Sequence, residues 1–159
     1  MVDIIQRQFE PCWRMLEETI NNWPEDLWET TDPEEPPAWQ VALHILMGME
    51  YWMQPEAGKY KAPKFDKEIN PNLGEPSVES LSREEMNAYF RKVQTTVDAF
   101  FSKLSDQALK EPASAYDQWT NLDVIIENIR HAQHHLGQLN ARLRRIGHLP
   151  VEWMYFKPA

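Results

Sequence analysis

The sequence predicts an all-α protein in which one domain, residues 1–159, folds as a four-helix bundle. Two observations carry this prediction. Four long segments have apolar residues at the spacing of helices, and proline-containing or loop-like connectors separate them. The length of 159 residues favours a single domain and is sufficient for a hydrophobic core.

The first helix is predicted over residues 3–22, where one face is apolar and the other is polar. Pro11 interrupts this helix and is expected to kink it, because proline has no amide donor. Cys12 lies close to the apolar face, so we interpret it as a small buried hydrophobe rather than a reactive thiol. The connector 23–37 is rich in proline and acidic residues, and its apolar side chains are expected to order it.

The second helix is predicted over residues 38–54 and is apolar nearly all round, which indicates a buried helix. His44 is the only ionisable residue in its first half. A buried imidazole needs a partner, since an unpaired polar group costs about 1–3 kcal/mol. That partner is either a tyrosine or backbone hydrogen bond, or a metal ion. Gly48, one turn further on, would leave room beside such a site.

Residues 55–81 are rich in Pro, Gly, Asn and Lys and predict a long loop, which in a compact domain is more often a functional loop or a lid than an idle one. Ser82 and Glu85 form a capping-box pattern that opens the third helix, whose apolar face runs to Leu104. The tail 148–159 is too aromatic to extend freely into solvent. We expect it to pack on the bundle or on a partner subunit.

The fourth helix, predicted from Asn121 to Gly147, is the longest run without proline. Thr120 and Asp123 resemble a capping box at its start, and Gly147 is a natural stop. Its apolar residues form one stripe, at Ile125, Ile129, Ala132, Leu136, Leu139, Leu143 and Ile146.

Three histidines lie in the middle of this helix. His131 and His135 are one turn apart and lean toward the apolar stripe, whereas His134 leans toward water or a rim. Two imidazoles at this spacing can share a metal ion, but an imidazole beside an apolar stripe is often only a hydrogen-bonded core residue. A third ligand, for which His44 is available, would favour the metal.

The net charge of −9 and the lack of a basic stripe argue against nucleic acid as a partner. Three arginines do cluster, but they lie in the last turns of the fourth helix, where they complement the helix dipole: Arg142, Arg144 and Arg145. A single cysteine excludes an internal disulfide and fits a reducing compartment. No signal-peptide pattern or membrane-length apolar run is present, so we expect a cytoplasmic protein without a membrane partner.

Three segments of the chain resemble the DinB/YfiT-like superfamily of four-helix bundles. They are ALHILMGMEYW in the second helix, PSVESLSREEM at the entry to the third, and RHAQHHLGQLNARLRR in the last. The resemblance covers nearly the whole chain, and the motifs are most specific in this order and spacing. One departure is Leu136, where many members carry arginine, so the resemblance implies no arginine at this position to hold an acidic substrate.

The resemblance implies an up-down-down-up bundle, commonly a homodimer, that binds a divalent metal through His44, His131 and His135. Zinc or nickel is the expected metal, and iron would also suit imidazole ligands. Helix position alone adds three residues to the expected pocket: Tyr51, His134 and Gln138.

Several relatives are thiol-dependent transferases or isomerases, so the resemblance also implies a reaction. A metal-bound thiol is deprotonated, and its thiolate can attack an electrophile. We therefore expect a thiol-dependent S-transferase, or a related hydrolase or isomerase, with a small-molecule thiol or electrophile as partner. The alternative is a non-catalytic, stress-linked bundle with a structural metal or a role in binding small molecules. An exchangeable metal position that faces a cleft would separate the two.

Overall fold

Four α-helices form the framework of the computed structural model, which describes residues 1–30, 35–56 and 58–156. They are α1 (Val2–Asn22), α2 (Ala38–Trp52), α3 (Arg83–Ser102) and α4 (Asn121–Arg145). No strand occurs in those three ranges, so the all-α prediction is confirmed. The up-down-down-up order stays a prediction. Parts of the predicted acidic connector and tail, residues 31–34 and 157–159, lie outside the described residues.

Both predicted capping boxes are formed. The Ser82 hydroxyl accepts a hydrogen bond from the Glu85 amide at 3.2 Å, and the Glu85 carboxylate accepts one from the Ser82 amide at 2.8 Å. Thr120 and Asp123 make the same reciprocal pair at 3.2 and 2.9 Å. Each box satisfies two amide groups that a helix start leaves unpaired, which is why α3 and α4 begin where the sequence predicts.

Helix α4 ends at Arg145, two residues before the predicted stop at Gly147, which adopts a left-handed φ of 80°. The His148 amide then donates back to the Leu143 carbonyl at 2.9 Å, which closes a Schellman motif. Because the helix has already ended, Ile146 turns outward and is 43% exposed. Its assignment to the core stripe was therefore wrong, and the stripe stops at Leu143.

The four helices share one hydrophobic core, in which α2 packs against both α3 and α4. Helix α1 continues through Pro11 to Asn22. Cys12 is 3% exposed, as the interpretation of a buried hydrophobe predicts, and burial raises the pKa of its thiol. None of the helices in the described ranges combines the length and the apolar character that a membrane span requires.

The long loop between α2 and α3 is tied to α2 by Gln40. The buried Nε2 atom of Gln40 lies 2.8 Å from the Asn70 carbonyl oxygen, 2.9 Å from that of Asn72 and 3.0 Å from that of Glu75. An amide nitrogen that contacts three backbone oxygens fixes this part of the loop over one end of α2. The loop therefore supplies a fixed wall rather than a free flap at this point.

The C-terminal tail packs on the bundle through only some of its apolar side chains. Val151 and Met154 pack against the core, and the Asn140 side chain pairs with the backbone of Val151. By contrast, Trp153 is 69% exposed and Tyr155 is 65% exposed. The tail thus covers part of the bundle and presents aromatic surface outward.

Candidate metal centre

Three histidines from two helices meet in the bundle. His44 comes from α2, and His131 and His135 come from successive turns of α4. The Nε2 atoms of His44 and His131 are 3.0 Å apart, and one potential ligand atom from each histidine lies within 4.8 Å of the others. The packing of α2 on α4 thus joins the predicted helical pair to the predicted third residue. Among the described residues, these three histidines are the group of potential metal ligands that lie close enough together to hold one ion.

The histidine cluster favours neutral imidazoles. Desolvation by burial lowers the pKa of all three rings, and neighbouring imidazoles lower it further. The effect is largest for His131, whose pKa falls to about 4. Two nitrogens 3.0 Å apart can share one proton but cannot both carry one toward each other. At neutral pH the three imidazoles are therefore uncharged, which is the protonation state that metal binding requires.

Gln138 orients the third ring of the cluster. The Nδ1 atom of His135 lies 2.8 Å from the Gln138 Oε1 atom, which can only accept, so this nitrogen carries the proton. The Nε2 lone pair of His135 is then free for a ligand. A hydrogen bond of this kind on the far nitrogen is what fixes the tautomer of metal-binding histidines.

Gly48 allows α2 to approach the His131 ring closely. A Cβ atom added at Gly48 would lie 3.0 Å from His131 Cε1 and 3.2 Å from Nδ1. The Nδ1 atom is buried and makes no hydrogen bond to the residues described. Trp52 contacts the same ring edge-on, with ring centroids 5.2 Å apart. Gly48 and Trp52 together restrict the position of the His131 ring.

Two cavities border the histidines. A cleft of about 260 Å³ opens onto His44 and His131, and a second cavity of about 270 Å³ opens onto His135. Loop segment 71–73 lies between them, since Pro71 and Asn72 line the first and Leu73 lines the second. Larger cavities occur elsewhere on the surface, but none of them is lined by the histidine cluster.

The predicted pocket residues are distributed unequally around this site. Tyr51 lines the cleft at His44, and Gln138 lines the cavity at His135. His134 is exposed and lines neither, although its ring centroid lies 4.9 Å from that of His135. The sequence analysis missed Tyr60 and Tyr116, which reach the cleft from loops, and no local pattern marks either residue.

Arg142 was also missed as a site residue. The sequence suggests only a charge near a helix end, yet Arg142 is 8% exposed and lines the cavity at His135. Its guanidinium donates to the carbonyls of Pro36 at 2.9 Å and Thr30 at 3.1 Å. It therefore holds the α1–α2 connector against α4. Leu136, by contrast, is fully in the core, so the position before the Gly–Gln pair supplies no charge.

A four-helix bundle with a histidine cluster between two helices, open to a cleft, defines the class of this protein. A sequence model of the DinB superfamily matches residues 8–139, and the chain belongs to that superfamily. No match is found among curated proteins.

Proposed function

We propose that His44, His131 and His135 bind one divalent metal ion. The observation that carries this proposal is the convergence of three neutral, desolvated imidazoles whose ligand atoms lie within 4.8 Å of one another. Two imidazole nitrogens on one tetrahedral zinc ion lie about 3.3 Å apart, and the observed distance is 3.0 Å. Zinc or nickel suits this donor set, and iron suits it as well.

We further propose that the site is catalytic. Three neutral ligands leave the charge of the ion uncompensated and leave at least one coordination position open, and the cleft at His44 and His131 gives that position an approach. A structural site usually has four protein ligands, and no carboxylate or thiolate joins the three histidines among the residues described. These features favour the enzyme over the alternative of a structural metal.

The reaction we propose is thiol transfer. An ion held by His44, His131 and His135 would make a bound thiol acidic enough to lose its proton to solvent. The thiolate would then attack an electrophilic carbon, and the S–C bond would form as the bond to the leaving group breaks. The chain itself holds the imidazoles neutral through burial and orients His135 through Gln138. Trp52 packs edge-on against the His131 ring. The same site would serve a related hydrolase or isomerase.

Elemental analysis of the purified protein, followed by thiol transfer, tests this proposal. We expect close to one zinc, nickel or iron per chain, and turnover of a low-molecular-weight thiol with a chromogenic aryl halide that stops when metal is chelated. Protein that binds none of these metals would overturn the metal centre. Stoichiometric metal without thiol binding or turnover would favour the structural alternative.

Gly48→Ala is expected to lower metal affinity by about tenfold or more, because the added methyl group would displace the His131 ring. The change can be measured by competition against a chromophoric chelator. Metal binding as tight as that of the unaltered protein would show that the close approach of α2 to His131 is unimportant.

Gly137→Ala is the matched control. Gly137 also lies within a helix beside the histidines, but a Cβ atom there would meet nothing within 4 Å. Both substitutions gain helix propensity, worth about 0.5–1 kcal/mol. Only Gly48→Ala adds a contact to the site, so the control should keep its metal and gain stability.

We also propose that the chain forms a homodimer. The exposed aromatic side chains of the tail, Trp153 and Tyr155, together with Leu149 at 90% exposure, support this proposal. Sedimentation of the intact protein as a monomer at micromolar concentration would contradict it.

A further inference from the structure

The cleft in front of His44 and His131 has an aromatic wall. The Tyr51 ring meets the Tyr60 ring at 5.0 Å between centroids and the Tyr116 ring at 5.7 Å, and both pairs are edge-to-face. These three rings come from α2, from the α2–α3 loop and from the α3–α4 connector. Met47 and Trp52 add further apolar side chains to the lining. Three separate parts of the chain therefore each place an aromatic ring at one opening.

The lining of this cleft carries no formal charge. Among the described residues that line it there is no lysine, arginine, aspartate or glutamate. The hydrogen bond to Tyr116 raises the pKa of Tyr51, and burial raises that of Tyr60, so these phenols are neutral as well. The cavity at His135 differs, since Arg142 and Glu35 both line it.

A carboxylate lying against these rings, away from the metal position, would lose water without meeting a cationic side chain among the lining residues, which is costly. An aromatic ring would instead find edges and faces at the separations that favour ring contacts. The cleft volume of about 260 Å³ lies just below the usual range for small-molecule sites, so it suits a single ring and its substituents.

We infer that the ligand reaching the histidine cluster through this cleft carries an uncharged aromatic ring rather than a carboxylate. This inference rests on the proposed metal site and names the substrate class of that site. The inference also distinguishes the two openings. The cleft at His44 takes the uncharged ring, whereas charged residues line only the cavity at His135.

Matched thiols on the cobalt-loaded protein test the inference, because a thiolate bound to cobalt gives a charge-transfer absorption. Benzyl mercaptan should bind more tightly than 2-mercaptoethanol. Tyr60→Leu keeps an apolar side chain but removes the ring. This substitution should weaken the binding of benzyl mercaptan by roughly two- to tenfold, which is the contribution of one aromatic contact. The affinity for 2-mercaptoethanol should not change. Tyr155→Ala, in the exposed tail, is the control and should change neither thiol.

A metal-free arm separates this inference from the proposed function. Benzyl alcohol should shift the NMR signals of Trp52 and Tyr60, whereas 3-hydroxypropionate at equal concentration should not. If benzyl alcohol causes these shifts but no thiol gives a charge-transfer band with cobalt, the aromatic site is supported and thiol activation is overturned. Equal or tighter binding of 2-mercaptoethanol than of benzyl mercaptan would overturn the inference while the metal centre stands. The absence of shifts with benzyl alcohol would overturn it as well.

Discussion

Replacement of His44, His131 or His135 by alanine is expected to lower metal affinity by at least about 100-fold. Loss of a residue that only orients a metal ligand typically costs 10–100-fold, and loss of the ligand itself removes a metal bond. The effect should be alike for all three residues, because the two imidazoles that remain form an incomplete site. Bound metal is measured by elemental analysis after gel filtration, and affinity by competition with a chelator.

Two further variants on α4 make this a graded series. Gln138→Ala removes the hydrogen bond that holds the His135 ring and should cost about 10–100-fold. His134→Ala removes an exposed imidazole next to His135 and should keep its metal. Circular dichroism of each variant checks that the helices persist. Full occupancy in the His44→Ala protein would refute the three-ligand site. A loss in His134→Ala comparable to that in His131→Ala would show that the wrong pair on α4 was chosen.

Acidification is expected to destabilise the metal-loaded protein more steeply than the metal-free protein. Burial lowers the pKa of the three histidines in the folded state, to about 4 for His131, whereas an unfolded histidine titrates near 6.5. The unfolded chain therefore binds more protons between those values, so stability falls as the pH drops from about 6.5 toward 4. Each neutral histidine contributes a slope of at most about 1.4 kcal/mol per pH unit.

Bound metal adds to this slope. The ion excludes protons from the ligands until it leaves, and it stabilises only the folded chain, so its release in acid removes that stabilisation as well. Melting temperatures measured with and without chelator, from neutral pH to about pH 5, test this difference in the range that spans the ordinary histidine pKa. Parallel curves would indicate buried histidines without a metal, and the enzyme proposal would lose its main support.

The features that the sequence predicts well are those set by nearby residues. Ser82 with Glu85 and Thr120 with Asp123 define the starts of two helices because a capping box needs only residues three apart. His131 and His135 share a face because one helical turn separates them. His44 stands out because a lone imidazole in an apolar helix needs a partner. In each case the physical cause lies within a few residues of the pattern.

The features that could not be predicted depend on long-range packing. Arg142 resembles any arginine near a helix end, and only the return of the α1–α2 connector buries it. Tyr60 and Tyr116 lie in irregular segments, so no periodicity indicates which way their rings point. Gln40 fixes the loop through backbone oxygens 30–35 residues away. Every residue type has the same backbone oxygen, so the sequence does not indicate which ones Gln40 contacts. Local patterns therefore do not indicate the residues that the loops contribute to the cleft wall.

The separation of the proposed metal ligands along the chain also sets an order of events during biosynthesis. His44 and His131 are 87 residues apart, and His131 lies on the last helix. At about 5–20 residues per second, a ribosome needs roughly 4–17 s to add the second histidine after the first. During that interval the nascent chain carries a single imidazole, that of His44 on α2. Because His131 and His135 lie on α4, the proposed metal site is complete only after α4 docks on α2, so binding of the ion would follow the assembly of the earlier helices rather than nucleate it.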